Sequence, residues 1–95
     1  MNRGRIAINP MLAWREIDGQ VVIISPEDSV VHELNETGSF IWKQIDFGRG
    51  ASEIARNMVT EYALPASEAR ADAEEFLECL AAKGLLQIEE ERNDA

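Results

Sequence analysis

The chain has 95 residues, of which 45% are hydrophobic and 28% charged, a composition typical of one globular domain rather than a disordered segment. A domain of this size buries roughly two thirds of its unfolded surface, which leaves little volume for a deep cofactor pocket. The 18 acidic and 9 basic side chains give a formal net charge of −9. This charge opposes nucleic-acid binding, which depends on Lys and Arg contacts with phosphates. Two explanations of the acidity stay open, the steering of a basic partner and solubility alone.

The only cysteine is Cys79, which excludes an internal disulfide and any multi-cysteine metal site. It lies in a helical apolar pattern, where a small packed side chain is the usual role. The only histidine, His32, has no second metal ligand at a useful spacing and no third group that would orient a catalytic pair. No apolar run is long enough for a signal peptide or a membrane span, so we expect a cytoplasmic protein with no membrane partner.

Sequence motifs of catalysis and cofactor binding are missing from the chain. It has no glycine-rich phosphate loop, no Walker lysine, no HExxH, no CxxC and no GxSxG. Glu74, Glu75 and Glu78 have the spacing of a solvated helix face rather than of a general acid–base pair. We therefore expect no enzymatic activity, no metal and no cofactor.

The first third of the chain predicts three antiparallel strands, followed by three helices. The strands span residues 13–17, 20–24 and 30–34. Asp18-Gly19 predicts a tight hairpin, because both positions tolerate positive φ. Ser25-Pro26-Glu27-Asp28 supplies the next turn. The middle strand is apolar at every side chain from Val21 to Ile24, so we expect cover on both of its faces.

The rest of the chain is predicted to be helical. The first two helices span residues 36–46 and 51–62. Asn35 is a suitable cap for the first, while Ser67 can cap the third and Gly84 stop it. Residues 85–88 indicate a short extended return, and we expect the N-terminal arm 1–10 and the acidic tail 89–95 to be flexible parts of a single domain, residues 1–95. The segregation of strands from helices predicts an α+β fold, with the helices on one side of a small sheet.

The third predicted strand, residues 30–34, is an edge of the sheet. An edge strand presents a row of unpaired N–H and C=O groups, and this one is neither long nor charged enough to be well protected. Either another chain completes it by β-augmentation or its own domain covers it. Both alternatives stay open at this point.

Leu34-Asn35-Glu36-Thr37-Gly38, followed by Ile41-Trp42, resembles the PqqD family of peptide-binding domains, also called RiPP recognition elements. The rest of the pattern occurs in the same order between about residues 5 and 88. It consists of Trp14-Arg15-Glu16 before the Asp18-Gly19 turn, Ser25-Pro26-Glu27, Glu53-Ile54-Ala55, Asp72 with Phe76-Leu77, and Lys83-Gly84-Leu85-Leu86. Many relatives place Tyr where this chain has His32. Because the resemblance is to the broader family, it does not assign the chain to pyrroloquinoline quinone synthesis.

The resemblance implies a winged helix-turn-helix-like fold, a three-stranded antiparallel meander followed by three helices. It also implies that the chain binds the leader segment of a ribosomally synthesised precursor peptide. The leader is added as a strand in a groove between the third strand and the third helix, and is presented to a radical S-adenosylmethionine enzyme or a leader peptidase. The implied peptide-binding residues are Val30, Val31, His32, Glu33, Leu34, Ala69, Arg70, Ala73, Phe76 and Leu77.

Two alternative functions are also compatible with the sequence. A winged-helix DNA-binding regulator needs a basic recognition helix. The third helix instead has five acidic and two basic residues, namely Glu68, Asp72, Glu74, Glu75 and Glu78 against Arg70 and Lys83. The other alternative is a dimerising scaffold, a homodimer whose edge strands or N-terminal arms pair between copies.

Overall fold

The structure is a computed structural model that describes residues 5–27 and 29–89. Its strands are β1 (Arg5–Ile8), β2 (Ala13–Ile17), β3 (Gln20–Ser25), β4 (Val30–Glu33) and β5 (Leu86–Glu89). Its helices, all between β4 and β5, are α1 (Glu36–Asp46), α2 (Ala51–Tyr62) and α3 (Ala66–Ala82). Strands β2, β3 and β4 form an antiparallel sheet in that order, and β1 pairs with β5 in a separate sheet. The predicted α+β meander followed by three helices is confirmed.

The hairpin between β2 and β3 forms as predicted. Asp18 and Gly19 have φ values of 52° and 82°, the left-handed conformation that a tight turn requires at both positions. The turn pairs Ile17 with Gln20, and this register places Trp14 opposite Ile23. The turn therefore determines which side chains of the two strands share a face.

The meander packs one face against the helices. Val21 and Ile23 on this face are fully buried, and the Trp14 ring meets the Trp42 ring of α1 edge to face with centroids 6.0 Å apart. On the opposite face, Ile24 is 45% exposed. The expectation of cover on both faces is therefore wrong, because the described helices pack against the Val21 and Ile23 side.

The helix bounds follow the predicted caps, with one exception. Asn35 accepts a hydrogen bond from the Gly38 N–H (2.8 Å) at the start of α1. Gly84 has a φ of 76° and ends α3. Ser67, however, does not cap α3, because the Pro65 carbonyl already accepts from the Ala69 N–H (2.9 Å) and the helix begins at Ala66.

The two ends of the described chain meet in the second sheet. Residues 5–8, which the sequence analysis places in a flexible arm, form β1 and pair with the predicted extended return, β5. Ile6 and Ile8 of β1 are partly buried against the core, so apolar contact accompanies the pairing. The expected flexibility of residues 1–4 and of the tail 90–95 concerns segments outside the described residues.

None of the helices in the described part of the chain, α1, α2 and α3, is long and apolar enough to cross a bilayer.

Candidate peptide-binding groove

Strand β4 has one paired side and one open side. The Leu34 N–H donates to the Val21 carbonyl (2.9 Å), which fixes the alternation of hydrogen-bonded pairs between β3 and β4. By that alternation His32 directs its backbone groups at β3, whereas Val31 and Glu33 direct theirs outward. No strand among residues 5–27 and 29–89 pairs with this outer edge. The edge thus offers the N–H and C=O groups of two residues to a visiting chain.

The side chain of Ser39 joins the first turn of α1 to the end of this ladder. Its hydroxyl accepts from the Val21 N–H (2.8 Å) and donates to the Leu34 carbonyl (3.3 Å). The buried hydroxyl therefore stands in for the second backbone hydrogen bond of this pair, the one that would run from the Val21 N–H to the Leu34 carbonyl. This contact holds the start of α1 beside the end of β4.

A cavity of about 360 Å³ opens between the start of α1 and the exposed side of α3. Its lining residues are Asn35, Thr37, Gly38, Ile41, Met58, Asp72, Glu75, Phe76 and Cys79. Ile41 and Met58 are buried and form an apolar floor, while Phe76 is half-buried in the wall. Asp72 and Glu75 are exposed at the rim. The cavity can therefore accept an apolar side chain whose neighbours are polar or positively charged.

Gly38 lets α1 and α3 approach at this wall. A Cβ atom placed on Gly38 would lie 2.8 Å from Cζ of Phe76, closer than real Cβ contacts allow. The absence of a side chain at residue 38 is thus what allows the Phe76 ring to lie against the first turn of α1. Gly38 shapes the groove through this contact.

The groove side of α3 is one continuous row of residues. Asp72, Glu75, Phe76 and Cys79 are three or four positions apart and so fall along one side of the helix. Glu74, one position away, is turned toward α2 and forms an ion pair with Arg70 (3.6 Å).

The structure separates the predicted peptide-binding residues into three groups. The β4 residues with exposed side chains are Val30, Val31 and Glu33, and His32 is half-buried opposite Ile23. Phe76 lines the cavity. Leu34, Ala69, Ala73 and Leu77 are buried in the core, and Arg70 lines a different cavity, between α2 and α3. Their side chains therefore do not line the groove, because they belong to the rows of α3, and to the end of β4, that pack inward or toward α2.

Several groove residues were absent from the predicted set. They are Asn35, Thr37, Gly38, Ile41, Met58, Asp72, Glu75 and Cys79. A signal for some of them existed, since Asn35-Glu36-Thr37-Gly38 and the pair Asp72 and Phe76 belong to the quoted family pattern. What the pattern lacked was their position relative to β4.

The groove offers binding surface rather than metal coordination. No group of three or more His, Cys, Asp or Glu side chains suited to a metal ion occurs in the part of the chain that the structure describes. The polar side chains that line the cavity are those of Asn35, Thr37, Asp72 and Glu75.

Two solved structures are similar to this chain in fold. A solved structure described as "TbiB1 in Complex with the TbiA(beta) Leader Peptide" has a TM-score of 0.82 and 28% identity, covering 85% of this chain and 94% of that one. A second, "Lasso peptide synthetase B1 complexed with the leader peptide", is similar in fold, with a TM-score of 0.81 and 18% identity over 87% of this chain and 98% of that one. No curated protein matches the chain.

The fold predicted from the resemblance is confirmed by these two structures. The sequence model of the family described as "Coenzyme PQQ synthesis protein D (PqqD)" matches residues 20–86, from the first residue of β3 to the first residue of β5. Since this match spans the central strand of the meander, all three helices and the groove between them, the chain belongs to the PqqD family.

Proposed function

We propose that the chain binds the leader segment of a ribosomally synthesised precursor peptide by β-strand addition at β4. The proposal is carried by two features, the outer edge of β4, which no described strand pairs with, and a cavity with an apolar floor whose lining begins at Asn35, two residues after the strand ends. The relative with 28% identity, which was solved with a leader peptide, supports the same assignment. In this role the chain is an adaptor that presents the leader to a modifying enzyme, a radical S-adenosylmethionine protein or a leader peptidase.

The leader interacts with the groove in two ways. Its backbone pairs with the outward N–H and C=O groups of Val31 and Glu33, each hydrogen bond contributing a net ~0.5–1.5 kcal/mol. Its alternate side chains project to the inner side of the sheet, where one apolar residue enters the cavity against Phe76 and gains ~1.5–3 kcal/mol from burial. Backbone pairing supplies affinity for any extended segment, and the cavity selects the segment that carries an apolar anchor.

The rim of the groove adds a preference for charge. Asp72 and Glu75 are exposed beside the cavity, and the whole chain has a net charge of −9. A leader with Lys or Arg next to its apolar anchor is attracted to this rim, while an acidic neighbour is repelled. The rim therefore contributes to the choice of leader and makes binding weaker at high salt.

The proposal is tested by titrating the protein with leader peptides encoded near its gene. Calorimetry or fluorescence polarisation measures the binding. We expect at least one leader to bind with a Kd below about 100 μM, or roughly −5.5 kcal/mol. Failure of all such leaders to bind at that level would contradict the proposal.

The substitution Val31→Pro tests whether the leader binds along the outer edge of β4. The substitution removes an outward N–H of β4 but no hydrogen bond to β3, because Val31 directs its backbone groups away from β3 in the alternation of the ladder. We expect the variant to fold and to lose leader binding, measured by titration and by circular dichroism.

Val31→Ala is the matched control, since it shortens the same side chain and keeps the N–H. We expect the alanine variant to retain most of the leader affinity. Equal affinity of the proline variant and the unmodified protein would mean that the leader binds elsewhere.

A further inference from the structure

The outer face of the β2–β3–β4 sheet, opposite the helices, carries an uncovered apolar patch. Ile17 is 50% exposed, Ile24 45% and Val31 57%. The strand registers place Ala13, Ile24 and Val31 side by side on this face. Scattered exposed apolar residues are ordinary, but a contiguous set across three strands marks an interaction surface.

One row of this face carries a charge of each sign. Arg15 on β2 lies opposite Val22, and Val22 lies opposite Glu33 on β4, so an arginine and a glutamate flank an apolar centre. Both charged side chains are exposed. Within the described residues neither of them forms an ion pair. The face is therefore positive at one edge and negative at the other.

This arrangement is complementary to itself. When two such sheets meet face to face about a two-fold axis parallel to the strands, β3 lies over β3 and β2 lies over β4 of the other copy. Rotation about this axis leaves each residue's position along the strand direction unchanged. Arg15 of each copy therefore meets Glu33 of the other. Ile24 then meets Ile24, and Val31 meets Ala13. An apolar centre with paired charges on both sides is the arrangement of a two-fold interface.

We propose that the partner of this face is a second copy of the chain, in a homodimer that joins the two outer sheet faces. This interface differs from one in which edge strands or N-terminal arms pair, because it leaves the backbone groups of β4 available. Three short strands bury less than the ~800 Å² per partner of a standard interface, so the dimer is weak and depends on concentration. The proposal stands independently of leader binding.

Sedimentation velocity across a concentration series tests the dimer. We expect monomer at low micromolar and dimer at about millimolar protein, as the limited area implies. Ile24→Lys places a charge at the centre of the face and is expected to leave the protein monomeric at every concentration. Ala71→Lys adds the same charge at an exposed position of α3 and should dimerise like the unmodified chain.

Charge exchange at Arg15 and Glu33 tests the geometry of the interface. Arg15→Glu and Glu33→Arg alter exposed residues, and each alone should weaken the homodimer roughly tenfold, because like charges then meet at both ends of the face. A mixture of these two variants should form a heterodimer, since one copy then carries two acidic residues on the face and the other two basic residues.

Any one of three results would overturn the proposal. The first is an unmodified chain that stays monomeric at millimolar concentration. The second is a dimer that Ile24→Lys leaves intact, and the third is a mixture of the two charge variants that does not associate. If the unmodified chain is monomeric and Ile24→Lys no longer binds the modifying enzyme, the outer face is the binding site of that enzyme instead. Leader titration of the same variants reports separately on the groove.

Discussion

At the wall of the groove, Gly38 and Phe76 approach so closely that no methyl group fits between them. In Gly38→Ala the helix gains roughly 1 kcal/mol of intrinsic propensity, while the added Cβ displaces the Phe76 ring. The ring is half-buried at the edge of the cavity, so open space lies beside it. We expect a folded variant whose stability to urea is little changed and whose leader affinity falls by about tenfold, or ~1.4 kcal/mol.

Gly50→Ala serves as the comparison for Gly38→Ala. An added Cβ at residue 50 meets no atom within 4 Å, and the residue lies at the start of α2, outside the groove lining. Leader affinity should therefore stay unchanged in this variant. If both alanine variants bind the leader equally well, the contact between Gly38 and Phe76 has no part in shaping the site.

Along α3, residues of the core and residues of the groove lie only a few positions apart in the sequence. Ala69 and Ala73 are fully buried, whereas Asp72 and Phe76, displaced by three positions, reach the groove. The resemblance implies a peptide-binding role for both alanines, and the structure buries both of them in the core.

At the scale of the elements, the contact between α1 and the sheet depends on the Ser39 hydroxyl. It satisfies the buried Val21 N–H at 2.8 Å and also reaches the Leu34 carbonyl. Ser39→Ala leaves that N–H without its partner, so we expect a loss of about 1–3 kcal/mol in the free energy of unfolding, measured by urea denaturation.

Ser52→Ala is the matched control for Ser39, because Ser52 is an exposed serine near the start of α2. Surface substitutions of this kind usually change stability by less than ~0.5 kcal/mol. Similar unfolding free energies for the two variants would show that the Ser39 hydroxyl does not hold the sheet to the helix.

The elements themselves were largely predictable from the sequence, because their signals are local. Asp18-Gly19 closes a hairpin and Asn35 caps α1 as expected, and each acts within a few residues of itself. Strand β1 was missed because it is only four residues long and its partner, β5, lies about 80 residues away in the chain. Pairing over that separation leaves no local pattern.

For the molecule as a whole, the acidic field argues against a DNA-binding winged helix. The net charge is −9, the exposed side of α3 carries Asp72 and Glu75, and its Arg70 is in an ion pair with Glu74. We expect no retardation of duplex DNA in a gel at low salt, where phosphate contacts are strongest. Leader titration of the same preparation verifies that the protein is active.

Retardation that weakens as salt is raised would contradict this expectation. Such a salt dependence is the signature of Lys and Arg contacts with phosphates. It would return the winged-helix regulator to consideration despite the acidic surface of α3.

The amino-acid sequence by itself determined the order of the elements in the meander and the helices, most of their bounds and, through residues such as Asn35 and Gly38, the family. These features depend on backbone preferences and apolar periodicity over short stretches of chain. Only the tertiary structure decided which side of α3 lines the cavity beside α1. The packing of Ala69, Ala73 and Leu77 into the core sets the rotation of that helix, and this rotation turns Asp72 and Phe76 toward the groove and Arg70 toward α2.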